Sequence, residues 1–246
     1  MSKEAEINYL KKLTEAHLMY TLGKPFSATD CANYLIAMAA VMTLLPDPPA
    51  TLLDIGCGAG WTSVFLAKRG YDVTGVDISP DMIRYANEKR EHEGLENLRF
   101  VVGDYEHMTF EDEFDCALFF DSLHHAEDEG AAVRMAHRTL RRGGVCVASE
   151  PGKAHEKSEH ARKAVRQYNV TEKDMPPSRI IAVGRRVGFR RFRICPHAAS
   201  INEALYGQIE GGLWQGLCRV TLFSTLAVLF AMLVHKRDSG IVVMTK

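Results

Sequence analysis

The chain has 246 residues, 46% hydrophobic and 25% charged, enough apolar material for the core of one large α/β domain. A formal net charge of -1 excludes a chain-wide basic field of the kind that non-specific polyanion binding needs. The charge is nevertheless uneven: residues 1–150 carry a net -10, residues 151–246 a net +9, and the stretch Arg179–Arg193 holds six arginines and no acid.

The N-terminal run is charged and amphipathic, without the apolar core of a secretory signal. Ile7, Leu10, Leu13 and Leu18 recur at helical spacing and predict a helix over 4–22 that ends near Gly23. Thr29 or Asp30 suits the cap of a second helix reaching Leu45, and Pro46-Asp47-Pro48-Pro49 reads as a rigid linker. These residues, 1–49, are expected to form a helical lid or cap on a domain spanning 50–246. Tyr20 and Phe26 in this segment are candidates to stack on a ligand.

Strand and helix then alternate. Strands are predicted at Thr51–Ile55, Asp72–Val76, Leu98–Val102, Phe114–Phe120 and Val145–Ser149. Helices are predicted at Trp61–Arg69, at Pro80–Glu93 with Ser79 as cap, and at Gly130–Arg141 with Arg142-Gly143-Gly144 as its stop. Strands separated by helices of this length imply a parallel sheet with right-handed crossovers. Beyond Pro151 a helix is expected at Pro176–Val187, and strands at Phe189–Ile194 and Ile241–Met244.

Between those last strands lies Val220–Val234, 15 residues without a charge. That is shorter than the ~20 apolar residues a span requires. It reads as an apolar helical insertion, over about 200–237, that packs on the sheet or a second subunit, walls a greasy acceptor, or rests on a membrane surface. The six cysteines form no CxxC pair, and Cys57, Cys116 and Cys146 fall on or beside core strands, which fits a reducing, cytoplasmic setting.

The sharpest local signal is Asp54-Ile55-Gly56-Cys57-Gly58-Ala59-Gly60, where a buried strand ends in a glycine-rich turn that opens a helix. Such a turn lets a ligand approach the backbone beyond the carboxyl ends of the strands. The spacing is GxGxG rather than the GxGxxG of dinucleotide sites. Asp77 ends the second strand, where a carboxylate can accept from both ribose hydroxyls. Asp104 and Tyr105 follow the third strand, and Asp121-Ser122-Leu123-His124-His125 leave the fourth.

Together these segments resemble the class I S-adenosylmethionine-dependent methyltransferases of the small-molecule type. DIGCGAG, VTGVDIS, VVGDYE, FDCALFFDSLHH and LRRGGVCVASEP stand in the family's order, over about two fifths of the chain. The resemblance implies a Rossmann-like, doubly wound, seven-stranded and mostly parallel sheet whose last strand is antiparallel. It implies S-adenosyl-L-methionine as cofactor, with Asp54, Gly56, Cys57, Gly58 and Gly60 at the methionine moiety. Asp77 would hold the ribose and Asp104 with Tyr105 the adenine, Asp121 to His125 would border the sulfonium and the acceptor, and Ile78, Met82, Gly103 and Tyr20 would be further cofactor contacts.

His124, His125 and Glu150 are the catalytic candidates. A histidine near neutral pKa suits proton abstraction from a hydroxyl acceptor. Neighbouring histidines on a loop are not expected to point inward together, and His125 is favoured. His155 and His160 stand in H-E-x-x-x-H, one residue longer than the zinc helix motif, and read as a solvated face; no metal is assigned.

The expected activity is methyl transfer to a small, apolar or lipid-like acceptor, with O-methylation favoured. Non-catalytic cofactor binding, nucleic-acid methylation and nicotinamide chemistry are the alternatives. The fourth-strand loop lacks the Asn/Asp-Pro-Pro-aromatic motif of amino-methylating enzymes.

Overall fold

The computed structural model describes residues 3–197 and 238–246. Within them seven strands form one sheet: β1 (Thr51–Ile55), β2 (Asp72–Asp77), β3 (Leu98–Val102), β4 (Phe114–Phe120), β5 (Leu140–Ser149), β6 (Arg191–Pro196) and β7 (Gly240–Thr245). Their order is β3-β2-β1-β4-β5-β7-β6. The first five are parallel, and β7 runs antiparallel to both β5 and β6. The order reverses between β1 and β4, which fixes where a ligand site can open.

Alternation on the central strands sends side chains to two cores. On β4, Ala117 and Phe119 face a cluster with Val133, Met135 and Ile180, whereas Cys116 and Leu118 face Met38, Val41 and Leu66. The first cluster is roofed by α6 (Glu129–Thr139) and α8 (Pro177–Val187). The second is roofed by α3 (Cys31–Leu44) and α4 (Trp61–Arg69), while α5 (Pro80–Glu93) packs beside β3. Both faces are covered, so β1 and β4 are apolar almost throughout. The helix at 31–44 therefore contributes to the same core as the sheet.

Four expectations change. The helix over 4–22 is broken into α1 (Lys3–Ile7), a 3-10 turn at Leu10–Lys12, and α2 (Glu15–Leu22). Leu13 is extended and Thr14 starts a new helix, its hydroxyl accepting from the His17 N–H. The helix at Gly130–Arg141 stops at Thr139, because fully buried Leu140 pairs with Phe114 as the first residue of β5 before the register shifts around Gly143-Gly144. The motif at 155–160, read as a solvated face, leads into α7 (Glu159–Tyr168), capped by Ser158 and anchored by buried Ala161 and Tyr168. Strand β6 starts at Arg191 rather than Phe189.

The insertion expected over about 200–237, with its apolar stretch at 213–234, lies outside the described residues. Among those described, no helix is long and apolar enough to cross a membrane.

Candidate active site

A cavity of about 580 Å³ opens beyond the carboxyl ends of β1 and β4. One wall is the glycine turn with the ends of β2 and β3. A second wall is the 121–125 loop with His155 and Glu172. Glu6 of α1, Tyr9 before the 3-10 turn, Tyr20 of α2 and Tyr34 of α3 also line it. Phe26 does not join them: it is 72% exposed.

The glycine wall is held mainly by backbone. The Gly56 and Cys57 N–H groups donate to the Val76 carbonyl at 2.8 and 3.0 Å. Gly56 has φ +74°, and a Cβ there would stand 2.5 Å from Ser122 Cβ. Gly58 has φ +53° and open space where a Cβ would point, so its backbone edge is bare toward the cavity. Cys57 also lines the cavity, with its thiol buried and its pKa pushed well up by that burial.

Asp54 and Gly60 stand behind this wall. Asp54 is buried and accepts from Thr62 Oγ1 and Ser63 Oγ, both at 2.6 Å, tying β1 to the first turn of α4. Burial raises its pKa and those two hydroxyls oppose the rise. The Cβ position of Gly60 is taken by Phe100 and Ala86.

Asp77 spans two loops. Its Oδ2 accepts from the Gly58 N–H and its Oδ1 from the Ser79 N–H, each at 2.9 Å. Each oxygen keeps lone-pair capacity, and the residue lines the cavity with Ile78 and Met82. Asp104 also lines it, but is engaged by Lys3 Nζ at 2.5 Å and His107 Nδ1 at 2.6 Å. The Tyr105 hydroxyl donates to the Ser122 carbonyl at 3.1 Å, which links the third-strand loop to the fourth. Gly103 packs against Met108 instead of facing the cavity.

The second wall departs from expectation. Asp121 takes φ +49°, a left-handed conformation that Asp tolerates better than most residues, and turns the chain sharply out of β4. A 3-10 turn at Leu123–His125 follows. Its tightness brings both His124 and His125 to the cavity, with ring centroids 4.0 Å apart, so the expectation that only one could point inward is corrected.

Glu150 does not reach the cavity. Its fully buried carboxylate accepts from the N–H groups of Ser122, Leu123 and His124 at 3.0, 2.8 and 3.2 Å, and lies 2.8 Å from His124 Nδ1. Burial pushes this carboxyl up to about 7 against the pull of those N–H groups. It is a positioning residue that shapes the loop, not a group placed to touch an acceptor.

Two residues that sequence reasoning did not place here complete the wall. Glu172 lies 3.5 Å from His124 Nε2 and 2.7 Å from His155 Nε2. His155 thus faces the cavity and not bulk solvent, correcting the solvated-face reading; His160 lines the rim. The arginine run does not enter the site: Arg179 pairs with Glu129 at 2.6 Å, and Arg185 lies over the Phe192 ring.

Residues 53–148 match the family model of a methyltransferase domain. The chain carries a class I S-adenosylmethionine-dependent methyltransferase domain. It is 36% identical over 101 residues to a ubiquinone biosynthesis O-methyltransferase of Psychrobacter cryohalolentis, covering 40% of this chain and 39% of that one. It is 33% identical over 102 residues to norajmaline N-methyltransferase of Rauvolfia serpentina, covering 40% of this chain and 35% of that one. The chain thus spans less than two fifths of the length of either curated relative. A phosphoethanolamine N-methyltransferase 2 from Haemonchus contortus, solved with S-adenosyl-L-methionine, shares the fold at TM-score 0.66 and 18% identity, covering all of this chain and 59% of that one.

The residues of this methyltransferase domain suit the cofactor. The bare edge at Gly58 admits a ligand that a side chain would block, and Asp77 offers two acceptor oxygens beside it.

Proposed function

We propose that this protein transfers a methyl group from S-adenosylmethionine to a hydroxyl oxygen of a small acceptor held against the histidine wall. The observation that carries the reading is the pair of histidines lining the same cavity as Gly58 and Asp77. His125 Nδ1 lies 2.7 Å from the Thr171 carbonyl, which can only accept, so Nδ1 carries the proton and Nε2 keeps its lone pair. Burial lowers the His124 pKa to about 4, and burial followed by the neighbouring His124 lowers that of His125, which favours the neutral form of each ring.

When bound, S-adenosylmethionine supplies an activated methyl on a sulfonium and leaves as the demethylated thioether. The protein has two tasks: to align the acceptor oxygen and to relieve it of its proton. Gly58 and Asp77 fix one reactant, while Tyr20, Tyr34 and Trp61 offer aromatic surface to an acceptor ring. As the oxygen–carbon bond forms and the carbon–sulfur bond breaks, the hydroxyl proton passes to the histidine wall. The N-terminal segment acts as a cover that excludes water, tied down by Lys3 on Asp104 and by the Thr171 N–H on Glu6 Oε1 at 2.9 Å. The names of the ubiquinone biosynthesis relatives support an oxygen acceptor; that of the norajmaline relative keeps amines in the test.

The test starts with calorimetric titration of S-adenosylmethionine, with NAD and NADP as controls, followed by transfer assays on matched phenols and amines. Micromolar cofactor binding with turnover of the phenols is expected. Preference for a nicotinamide sinks the proposal, and methylation of amines alone removes its oxygen-acceptor part.

A further inference from the structure

His124, His125 and Glu172 each bring one potential ligand atom into a group whose members all lie within 4.8 Å of one another. We propose that these three side chains hold a divalent transition-metal ion at the acceptor side of the cavity. The proposal deepens the methyl-transfer reading and rests on it for its function, although the site itself stands on geometry.

The first support is the tautomer each imidazole must adopt. His125 Nδ1 faces the Thr171 carbonyl at 2.7 Å, and His124 Nδ1 faces a Glu150 oxygen that already accepts a backbone N–H. Both Nδ1 atoms are therefore donors, and both Nε2 atoms present lone pairs. A carboxylate behind one ligating histidine and a backbone carbonyl behind the other is the outer arrangement that orients metal-binding imidazoles.

The second support is charge. With its proton on Nδ1, His124 brings an unprotonated Nε2 to 3.5 Å from the Glu172 carboxylate, a pairing that a positive ion between them relieves. Glu172 is itself fixed by the 2.7 Å contact with His155 Nε2. Among the described residues, Glu6, Glu150 and Glu172 gather around these imidazoles, and none of the three pairs with a lysine or arginine. Glu172 has the His155 imidazole as its partner, but Glu150 and Glu6 have only His124 and His125, and carboxylates buried without a cation are costly. One divalent ion bound to two neutral imidazoles and one carboxylate relieves both the pairing and the deficit.

The donor set selects the metal class. Two imidazole nitrogens and one carboxylate oxygen suit zinc or a neighbouring first-row ion better than magnesium or calcium, which prefer all-oxygen shells. Donors around a tetrahedral zinc stand roughly 3.3 Å apart, so the widest pair must close by about 1.5 Å through side-chain rotation. Three protein ligands leave a position open to the cavity. An acceptor hydroxyl bound there loses its proton more readily, so the histidines would act through the ion instead of as free bases. The acceptor class is then a hydroxyl compound with a second oxygen able to chelate.

The experiment is calorimetric titration of chelator-stripped full-length protein with Zn(II), repeated with Co(II) while recording visible absorption. About one equivalent is expected to bind at micromolar affinity or tighter, with cobalt bands from nitrogen ligation. His125→Ala and Glu172→Gln should each weaken Zn(II) by 100-fold or more, and Glu150→Gln by about 10- to 100-fold through the outer arrangement. Circular dichroism melts confirm that each variant is folded. Absence of Zn(II) and Co(II) binding to the stripped protein, or affinities of folded His125→Ala and Glu172→Gln within threefold of the unmodified chain, overturns the site. S-adenosylmethionine titration of the same stripped sample separates the two readings: retained cofactor binding leaves the methyltransferase assignment standing whatever the metal result.

Discussion

The two walls line one cavity, yet they are assembled in opposite ways. The glycine wall comes from strand ends that the sheet places side by side, and its polar groups are mostly backbone: Gly56, Cys57, Gly58 and Ser79 N–H groups meet the Val76 carbonyl and Asp77. The histidine wall comes from side chains of separate segments. His124 and His125 are held by Glu150 28 positions beyond Ser122, by the Thr171 carbonyl, and by Glu6 from the other end of the chain, 3.8 Å from His125. Backbone geometry leaves a mark in sequence as glycine and strand periodicity. A convergence of side chains from distant loops leaves none.

The contrast is broken most severely at Glu150. Replacing it by alanine strands the N–H groups of Ser122, Leu123 and His124 and the His124 ring in a buried space. A loss of about 4 kcal/mol is expected in urea unfolding. Glu172→Gln, which keeps shape at the cavity surface, should cost less than about 1 kcal/mol. Equal losses for the two would show that the histidine wall has no internal division between scaffold and working groups.

Gly56→Ala comes next. Its Cβ would meet Ser122 Cβ at 2.5 Å with φ +74°, so about 3 kcal/mol of stability should go. Gly58→Ala, with open space around its Cβ, should lose roughly 1 kcal/mol of stability while weakening S-adenosylmethionine in calorimetry at least tenfold. The pair separates packing from ligand access within a single turn.

Asp77→Asn tests the ribose role directly. Cofactor affinity should fall by about 100-fold, or roughly 2.7 kcal/mol. Unaltered affinity would remove Asp77 from the binding groups and leave it as a loop tie.

The smallest effect lies away from both walls. Glu129 accepts from Arg179 and Lys173, and these contacts bring its pKa down to about 2 despite the upward push of partial burial. A depressed carboxyl stabilises above its unfolded value near 4.5, and that contribution is lost as pH falls toward 2. Glu129→Gln should cost about 1 kcal/mol at pH 7, allowing for solvent screening of the partners, and the difference should narrow below pH 5. Thermal melts across that range measure it.

Much of the fold was legible before any coordinates. β1, β3, β4, α4 and α5 keep their expected bounds, because continuous apolar runs, the Ser79 cap and terminal glycines leave few alternatives. The N-terminal helix was misread because its apolar spacing continues across Thr14, whose capping hydroxyl restarts the helix. Helix α7 was missed because only Ala161 and Tyr168 are buried in it, too few to make a visible stripe.

For the site, the sequence by itself determined the glycine turn, Asp77 and the paired histidines, since strand ends and tight turns are encoded locally. Only the tertiary structure decided that both histidines face the cavity, that Glu150 works from behind the wall, and that Glu172 and His155 belong to it. The physical reason is range. A turn is specified by the few residues that form it, whereas the position of a side chain in a shared cavity depends on how the whole sheet brings distant loops together.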